Sequence, residues 1–164
     1  ATMLLAGMVV TVLALNGPLR PEPWYDPRYA IPLFGMILGN AMTGISLGLD
    51  GLTSLVGRER AAIEAQLTLG ATRWRALRPI AQRALRTGFT PMLNSMAAAG
   101  VVFLPGMMTG QILSGVAPEQ AVKYQILVLF LIAGASGLGV LTAVLASIWR
   151  LTDDRHRLRL DRLA

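Results

Sequence analysis

Charge in this chain is confined to a few short stretches, and the long apolar stretches between them carry almost none. Charged residues make up 15% of the sequence and hydrophobic residues 54%, with a mean hydropathy of +0.54. Soluble domains ordinarily carry about 25% charged residues. Such segregation is typical of a chain whose solvent is lipid. The sequence therefore predicts an all-α, polytopic bundle of transmembrane helices that forms one domain over residues 1–164.

Four apolar stretches have the composition of membrane spans. In chain order they are Thr2–Leu15, Ala30–Ser54, Thr87–Leu104 and Tyr124–Trp149. The second would rise about 37 Å as a helix, but the first only about 21 Å, short of the ~30 Å hydrocarbon core. Because the first also lacks the basic region and cleavage site of a signal peptide, we expect the chain to begin inside a helix, as an N-terminally truncated membrane domain.

The loop Leu19–Tyr29 separates the first two spans and holds too many prolines to be helical. Its Trp24 and Tyr25 suit the headgroup level of a bilayer. The tail Leu151–Ala164 alternates charges at helical spacing, which predicts a solvated helix end on anionic lipid.

The basic residues orient these spans. Seven arginines fall within residues 57–86 and five within residues 150–164, which together are twelve of the fifteen Lys and Arg. The other three are Arg20, Arg28 and Lys123. Basic residues concentrate in cytoplasmic loops, and the alternation of loops agrees with that rule. We therefore expect residues 57–86 and the C-terminus to be cytoplasmic, in a multi-pass protein of the bacterial inner membrane.

Several classes of function are excluded or disfavoured. The net charge of +6 suggests nucleic-acid binding, but the arginines flank apolar spans, so we expect lipid contact and no nucleic acid. The chain has no cysteine and one histidine, His156, which leaves no thiolate or His-rich metal site. No nucleophile–base pair and no phosphate-binding loop is present. The chain is thus predicted to be no enzyme, to hold no cofactor and to hydrolyse no ATP.

Residues 58–86 form the most informative segment. Glu59–Leu69 is rich in strong helix formers, Gly70 suits the position just past a helix end, and Thr72 suits the N-cap of a second helix. The pattern predicts a helix–turn–helix outside the membrane. Such an element could dock in a groove of a soluble partner, or it could be an amphipathic connector lying on lipid.

The spacing in this segment resembles a loop of importer-type ABC transporter permeases. That loop has Glu-Ala-Ala, three residues, Gly, nine residues, then Ile, any residue and Leu-Pro. The chain has Glu64-Ala65-Gln66, Gly70 and Ile80 at this spacing, but it departs at Gln66 and has Gln82-Arg83 in place of Leu-Pro. The resemblance implies that Glu64, Ala65, Gly70 and Ile80 serve coupling to a nucleotide-binding subunit.

A second resemblance covers nearly the whole chain. The strings PLFGMILGNAMTGISL (32–47), LPGMMTGQILSG (104–115), YQI (124–126) and PEPWYDPRY (21–29) are similar to the bacterial FetB permease family, whose plant relatives serve aluminium tolerance. The resemblance implies an iron-export permease that forms a homodimer in the lipid membrane. It also implies a separate cytoplasmic ATPase that binds ATP and Mg. Export of another metal or of a nucleotide sugar stays open, as does a non-transporting scaffold that recruits a cytoplasmic protein.

Polar side chains within the spans are candidates for a substrate path, because they are costly in lipid. Asp50 could attract a cation near the cytoplasmic end, or it could pair with Arg58 or a nearby arginine. Asn40 and Asn94 could offer carbonyl oxygens to an ion, or could bond other helices.

The glycines and methionines of the apolar stretches can be explained by helix packing, and the methionines also by a role in metal transport. Gly35 and Gly39, like Gly44 and Gly48, are spaced for close helix packing, which predicts that this span is an interior or dimer-interface helix. Six methionines could form a thioether path suited to soft ions such as Cu(I), or could fill gaps in the core. They are Met36, Met42, Met92, Met96, Met107 and Met108.

The segment 104–117 is uncharged, yet Pro105 and Gly106 are expected to break its helix. It is either a re-entrant segment that exposes Thr109 and Gln111 to a water-filled cavity, or an ordinary outer hairpin.

Overall fold

The computed structural model describes residues 7–10, 12, 27–102, 104–153 and 158. Residues 7–10 and 12 are helical. Five longer helices follow: α1 (Pro27–Arg58), α2 (Arg60–Thr68), α3 (Arg73–Ala98), α4 (Gly106–Leu113) and α5 (Pro118–Leu151). The described residues form no strand, and they include an isolated antiparallel bridge between Thr152 and Leu158. The all-α prediction is confirmed.

The second predicted span is confirmed as a helix with wider bounds. α1 begins at Pro27, three residues before Ala30, because a proline at the first helical position lacks only an N–H that would be unpaired anyway. The expectation of a non-helical loop up to Tyr29 is therefore wrong for Pro27–Tyr29. The rest of that loop, and most of the predicted span Thr2–Leu15, lie outside the described residues.

The helix–turn–helix is confirmed, but its second helix does not end where predicted. α2 ends at Thr68, Gly70 takes φ +85°, and the Thr72 side chain caps α3 by accepting a 3.4 Å hydrogen bond from the Arg75 N–H. α3 then continues without a break from Arg73 to Ala98. The predicted boundary at Thr87 is wrong, because it marks a change from charged to apolar side chains and not a change in backbone.

Two helices are long and apolar enough to cross a membrane, over Ile31–Arg58 and Pro118–Leu151. The predicted third span, Thr87–Leu104, is not reproduced with those bounds, since α3 ends at Ala98 and Gly100 takes φ +82°. The uncharged part of α3, residues 87–98, rises about 18 Å. The fourth predicted span, Tyr124–Trp149, is confirmed as a helix, since it lies within α5.

Helices α1, α3 and α5 pack on one another, and glycine lets two of them approach closely. A β-carbon at Gly44 would lie 3.0 Å from the Gly88 carbonyl oxygen, and one at Gly48 would lie 3.2 Å from Val140 Cγ1. Close packing at the Gly44–Gly48 step is thus confirmed. At Gly35 and Gly39 a β-carbon would meet nothing within 4 Å, so that step faces outward.

Two apolar clusters lie toward opposite ends of the bundle. The first joins the C-terminal ends of α1 and α5 to α2 and the start of α3, through Leu52, Val56, Ile63, Leu77, Ile80 and Ile148. The second joins the start of α1 to α5, through Leu33, Ile37, Val128 and Ile132, and includes Val10. The arginine-rich segment and the end of α5 therefore share one end of the fold.

The tail does not continue as a helix beyond α5. Thr152 is extended, with φ −119° and ψ 139°, and its hydroxyl donates to the Ile148 carbonyl oxygen at 2.8 Å. The prediction of a helical tail from Leu151 is wrong at Thr152. Most of the remaining tail lies outside the described residues.

Candidate functional site

The tip of the arginine-rich segment, residues 64–71, projects from the end of the bundle. Glu64 lies on α2, and its carboxylate accepts a 2.8 Å hydrogen bond from Arg60 Nε one turn earlier. Ala65 and Gly70 are exposed. Leu69, between the two helices, is 87% exposed. The tip therefore offers an apolar side chain beside a paired carboxylate, and both are accessible to a partner.

The base of the same segment is buried. Ile63 of α2 and Ile80 of α3 are 2% and 1% exposed and pack in the first apolar cluster. Arg83 Nη1 donates to Glu59 Oε1 at 2.6 Å, which ties α3 to the junction between α1 and α2. Ile80 thus lies beneath the tip and positions it, whereas Glu64, Ala65 and Gly70 are on the surface. Their coupling role stays a prediction.

Aromatic contacts fix the start of α3 to the end of α5. The rings of Trp74 and Trp149 meet edge-on, with centroids 6.5 Å apart and an interplanar angle of 66°. Arg73 Cζ lies 5.7 Å from the centroid of the Trp149 ring, within the range of a cation–π interaction. A displacement of the tip would therefore act on α5 as well as on α1 and α3.

A cavity of about 180 Å³ lies between α1, α3 and α5, toward the other end of the bundle. Its lining is Met36, Asn40, Met92, Ser95, Met96, Ala99, Pro105, Gln125, Leu129 and Ile132. Three of the six predicted methionines thus meet at one place, and Asn40 joins them. Asn40 Nδ2 donates to the Met36 carbonyl oxygen at 2.9 Å, which fixes the amide on its own helix.

Gln125 is the most unusual side chain of this cavity. It is 5% exposed, and within the described part of the chain its Oε1 atom accepts no hydrogen bond. Buried amide oxygens are nearly always paired, and leaving one unpaired costs about 1–3 kcal/mol. The lining therefore brings together three methionines and an amide whose oxygen is desolvated.

The other predicted path residues lie apart from this cavity. Asp50 is exposed on α1 and forms no ion pair with any described residue, so the alternative of a pair with Arg58 or a nearby arginine is not observed there. Asn94 is exposed on α3. Thr109 donates to the Pro105 carbonyl oxygen at 3.2 Å within the short helix α4. Gln111 is partly buried, with Oε1 unpaired among the described residues.

Comparison with known proteins places the chain in a family. The model of an uncharacterised protein family, UPF0014, matches residues 1–151. The chain belongs to the UPF0014 family. The match includes the exposed tip and the cavity, so both features lie within the family's sequence.

Several curated proteins of bacteria and plants are similar to this chain. A UPF0014 membrane protein of Synechocystis is 41% identical over 85% of this chain and 53% of its own length. The probable iron export permease FetB of Escherichia coli is 35% identical over 93% and 58%. ALUMINUM SENSITIVE 3 of Arabidopsis thaliana is 36% identical over 85% and 50%. The chain thus spans about half the length of these relatives. No solved structure matches it.

Two residues of the cavity are not among the predicted path residues. Gln125 belongs to the family-like string YQI (124–126), and an amide in an otherwise apolar span is a candidate because it is costly in lipid. Ser95 is the other. Neither has a neighbour in sequence that would reveal the cavity, because its walls come from three helices of this UPF0014 chain.

Proposed function

We propose that this chain is part of the permease of an ATP-driven exporter that moves iron out of the cytoplasm by alternating access. The observation that carries the proposal is the form of the segment 58–86, whose tip is exposed while its base is packed among the spans. The similarity to a protein named a probable iron export permease supports the substrate. ATP and Mg belong to a separate ATPase chain.

In this mechanism the tip docks on the ATPase, and its surface residues make the contact. Leu69 supplies an apolar anchor, and Glu64 supplies a carboxylate that can exchange Arg60 for a basic group of the partner. Closure of the ATPase displaces the tip, and the packed base passes that displacement to α1, α3 and α5. Alternate closures expose the path to the two sides in turn.

The proposed setting is the bacterial inner membrane, with the tip and the C-terminus in the cytoplasm. Four spans in this chain would include the stretch Thr2–Leu15 and the apolar part of α3. The shared end of the arginine-rich segment and α5 supports this topology, since basic residues concentrate on the cytoplasmic side. Two permease copies would pair with two ATPases, and the outward-facing Gly35–Gly39 step would suit such a contact.

A charge reversal at the tip tests the coupling. Glu64→Arg in the full-length permease, reconstituted with its ATPase, should abolish stimulation of ATP hydrolysis by substrate while the protein still reaches the membrane. Glu119→Arg is the matched control, because Glu119 also accepts from a basic side chain one turn away, Lys123, at the opposite end of the fold. Stimulation that survives Glu64→Arg, or is lost equally in both variants, would contradict the coupling.

Cellular iron tests the substrate. Cells that lack the intact gene should accumulate more iron after iron overload than cells that carry it, and re-expression should restore the lower level. Unchanged iron, with a changed content of another metal, would assign the permease to that metal. Recruitment of a cytoplasmic protein with no transported solute would favour a scaffold.

A further inference from the structure

The cavity described above combines soft and neutral donor atoms. Met36, Met92 and Met96 line it from α1 and α3, and Gln125, whose amide oxygen is buried, lines it from α5. Asn40 and Ser95 add a second amide and a hydroxyl. None of the described lining residues carries a carboxylate. The described lining is therefore polar at a few points and has no negative charge.

Gln125 distinguishes this cavity from a gap that methionines merely fill. A side chain that is 95% buried loses most of its hydration, and its oxygen has no protein donor among the described residues. Such an arrangement is unfavourable unless another group supplies the missing interaction. A cation can supply that interaction, as a hydrogen-bond donor also can, and a cation suits the thioether sulfurs as well because they offer lone pairs and no proton.

The donor set selects the kind of cation. Thioethers favour soft, low-valent ions, whereas hard ions such as Fe(III) and Mg²⁺ favour anionic oxygen ligands. Burying charge in an apolar environment is costly, and neutral ligands do nothing to cancel that charge. Both effects disfavour a highly charged ion in this place.

We propose that this cavity is a binding site for a low-valent transition-metal cation of soft or borderline character, held by the three methionine sulfurs and the Gln125 oxygen. The proposal deepens the iron-export function, on which it rests for the identity of the cargo: iron occupies the cavity as Fe(II) and not as Fe(III). Ag(I) is the probe, since it is soft and monovalent and does not change its oxidation state in the assay.

The first test removes the sulfurs without changing the volume of the side chains. The full-length permease is purified in lipid nanodiscs, and Ag(I) binding is measured by calorimetry. The variant Met36→Leu/Met92→Leu/Met96→Leu should bind Ag(I) at least tenfold more weakly than the wild type. Methionine-to-leucine changes are among the best-tolerated core substitutions, and a monodisperse elution profile verifies that the variant is folded.

The matched control removes three methionines that do not line the cavity. Met42→Leu/Met107→Leu/Met108→Leu changes the same number of sulfurs on α1 and α4. This variant should bind Ag(I) as the wild type does. Equal affinities in both triple variants, or no Ag(I) binding by the wild type, would overturn the proposal and leave the three cavity methionines as packing residues.

The second test changes the oxygen donor. Gln125→Glu places an anionic oxygen where the neutral one lies, so binding of Fe(II), measured anaerobically, should strengthen at least fivefold. Gln125→Leu removes the oxygen and should weaken Fe(II) binding by a similar factor. Fe(II) affinities that are the same in both variants would exclude Gln125 as a ligand, and wild-type preference for Fe(III) would overturn the choice of oxidation state.

Two outcomes distinguish a failure of the proposed metal site from a failure of the proposed iron export. If the wild type exports no iron from cells yet binds Ag(I) at the cavity methionines, iron export fails and the site stands. If the cavity triple variant exports iron at the wild-type rate, the site is overturned as part of the path while iron export stands.

Discussion

Replacing Gly88 by alanine tests whether the contact between α1 and α3 organises the bundle. A β-carbon at Gly88 would lie 2.7 Å from Val140 Cγ1, 2.8 Å from the Gly44 carbonyl oxygen and 3.3 Å from Gly48 Cα. Val140 could relieve its own contact by rotating, but the Gly44 oxygen and the Gly48 Cα are backbone atoms. Relief requires the two helices to separate.

The size of that separation sets the expected cost. Ordinary contacts between non-bonded heavy atoms begin near 3.5 Å, so the Gly44 oxygen must retreat by about 0.7 Å. A gap of 0.5–1 Å forfeits a quarter to a half of the dispersion energy of the atoms it separates. Overpacking of this kind costs about 1–3 kcal/mol. We therefore expect Gly88→Ala to lower the free energy of unfolding by that amount.

The assay is reversible unfolding of the full-length protein in lipid bicelles, with Gly134→Ala as the control. Gly134 also lies in a helix, but its β-carbon would meet nothing within 4 Å. The control should be neutral or more stable by up to about 1 kcal/mol, because alanine favours helix. A Gly88→Ala variant as stable as the control would refute the claim that α1 and α3 touch at this point.

Three further changes test the segment 58–86 and its supports. Ile80→Ala should lower the free energy of unfolding by about 2–5 kcal/mol in the same assay, because Ile80 is buried in the first apolar cluster; a loss below about 0.5 kcal/mol would place it on the surface. Gly70→Ala should cost about 1–2 kcal/mol, because φ is +85°, whereas Gly57→Ala in the regular part of α1 should not destabilise. A double-mutant cycle of Trp74→Leu and Trp149→Leu should give a coupling energy of about 0.5–1.5 kcal/mol, and additive effects would show that the rings do not interact.

The long elements of this fold were predictable because their signals are local. α1 and α5 follow from long apolar stretches with few charges, and the turn at Gly70 and Thr72 follows from the backbone freedom of glycine and the capping ability of threonine. The predicted helix boundary at Thr87 is wrong for a related reason. The change from charged to apolar residues there reflects a change in the surroundings of the side chains, and a single helix can pass from one environment into another without a break.

The cavity was not predictable in the same way, because it depends on how helices face one another. Asn40 and Gln125 are both amides within apolar helices, but nothing in their separation along the chain indicates that they meet. The same holds for the methionines: Met36, Met92 and Met96 line the cavity, whereas Met42 is 59% exposed on the same helix as Met36. That Met36, Met92 and Met96 line one cavity becomes evident only when α1, α3 and α5 are packed together.

The continuity of α3 gives the proposed mechanism a direct physical connection. Ile80 lies in the cluster beneath the tip, and Met92 and Met96 line the cavity, about 18–24 Å farther along the same helix. Two separate helices would have to transmit a displacement through a flexible joint, but one helix transmits it through its own hydrogen bonds. Pro91 interrupts those bonds just before Met92, and proline is where helices bend most readily. A displacement of the tip is therefore expected to change the helix most at the edge of the cavity, where a bound cation would be released.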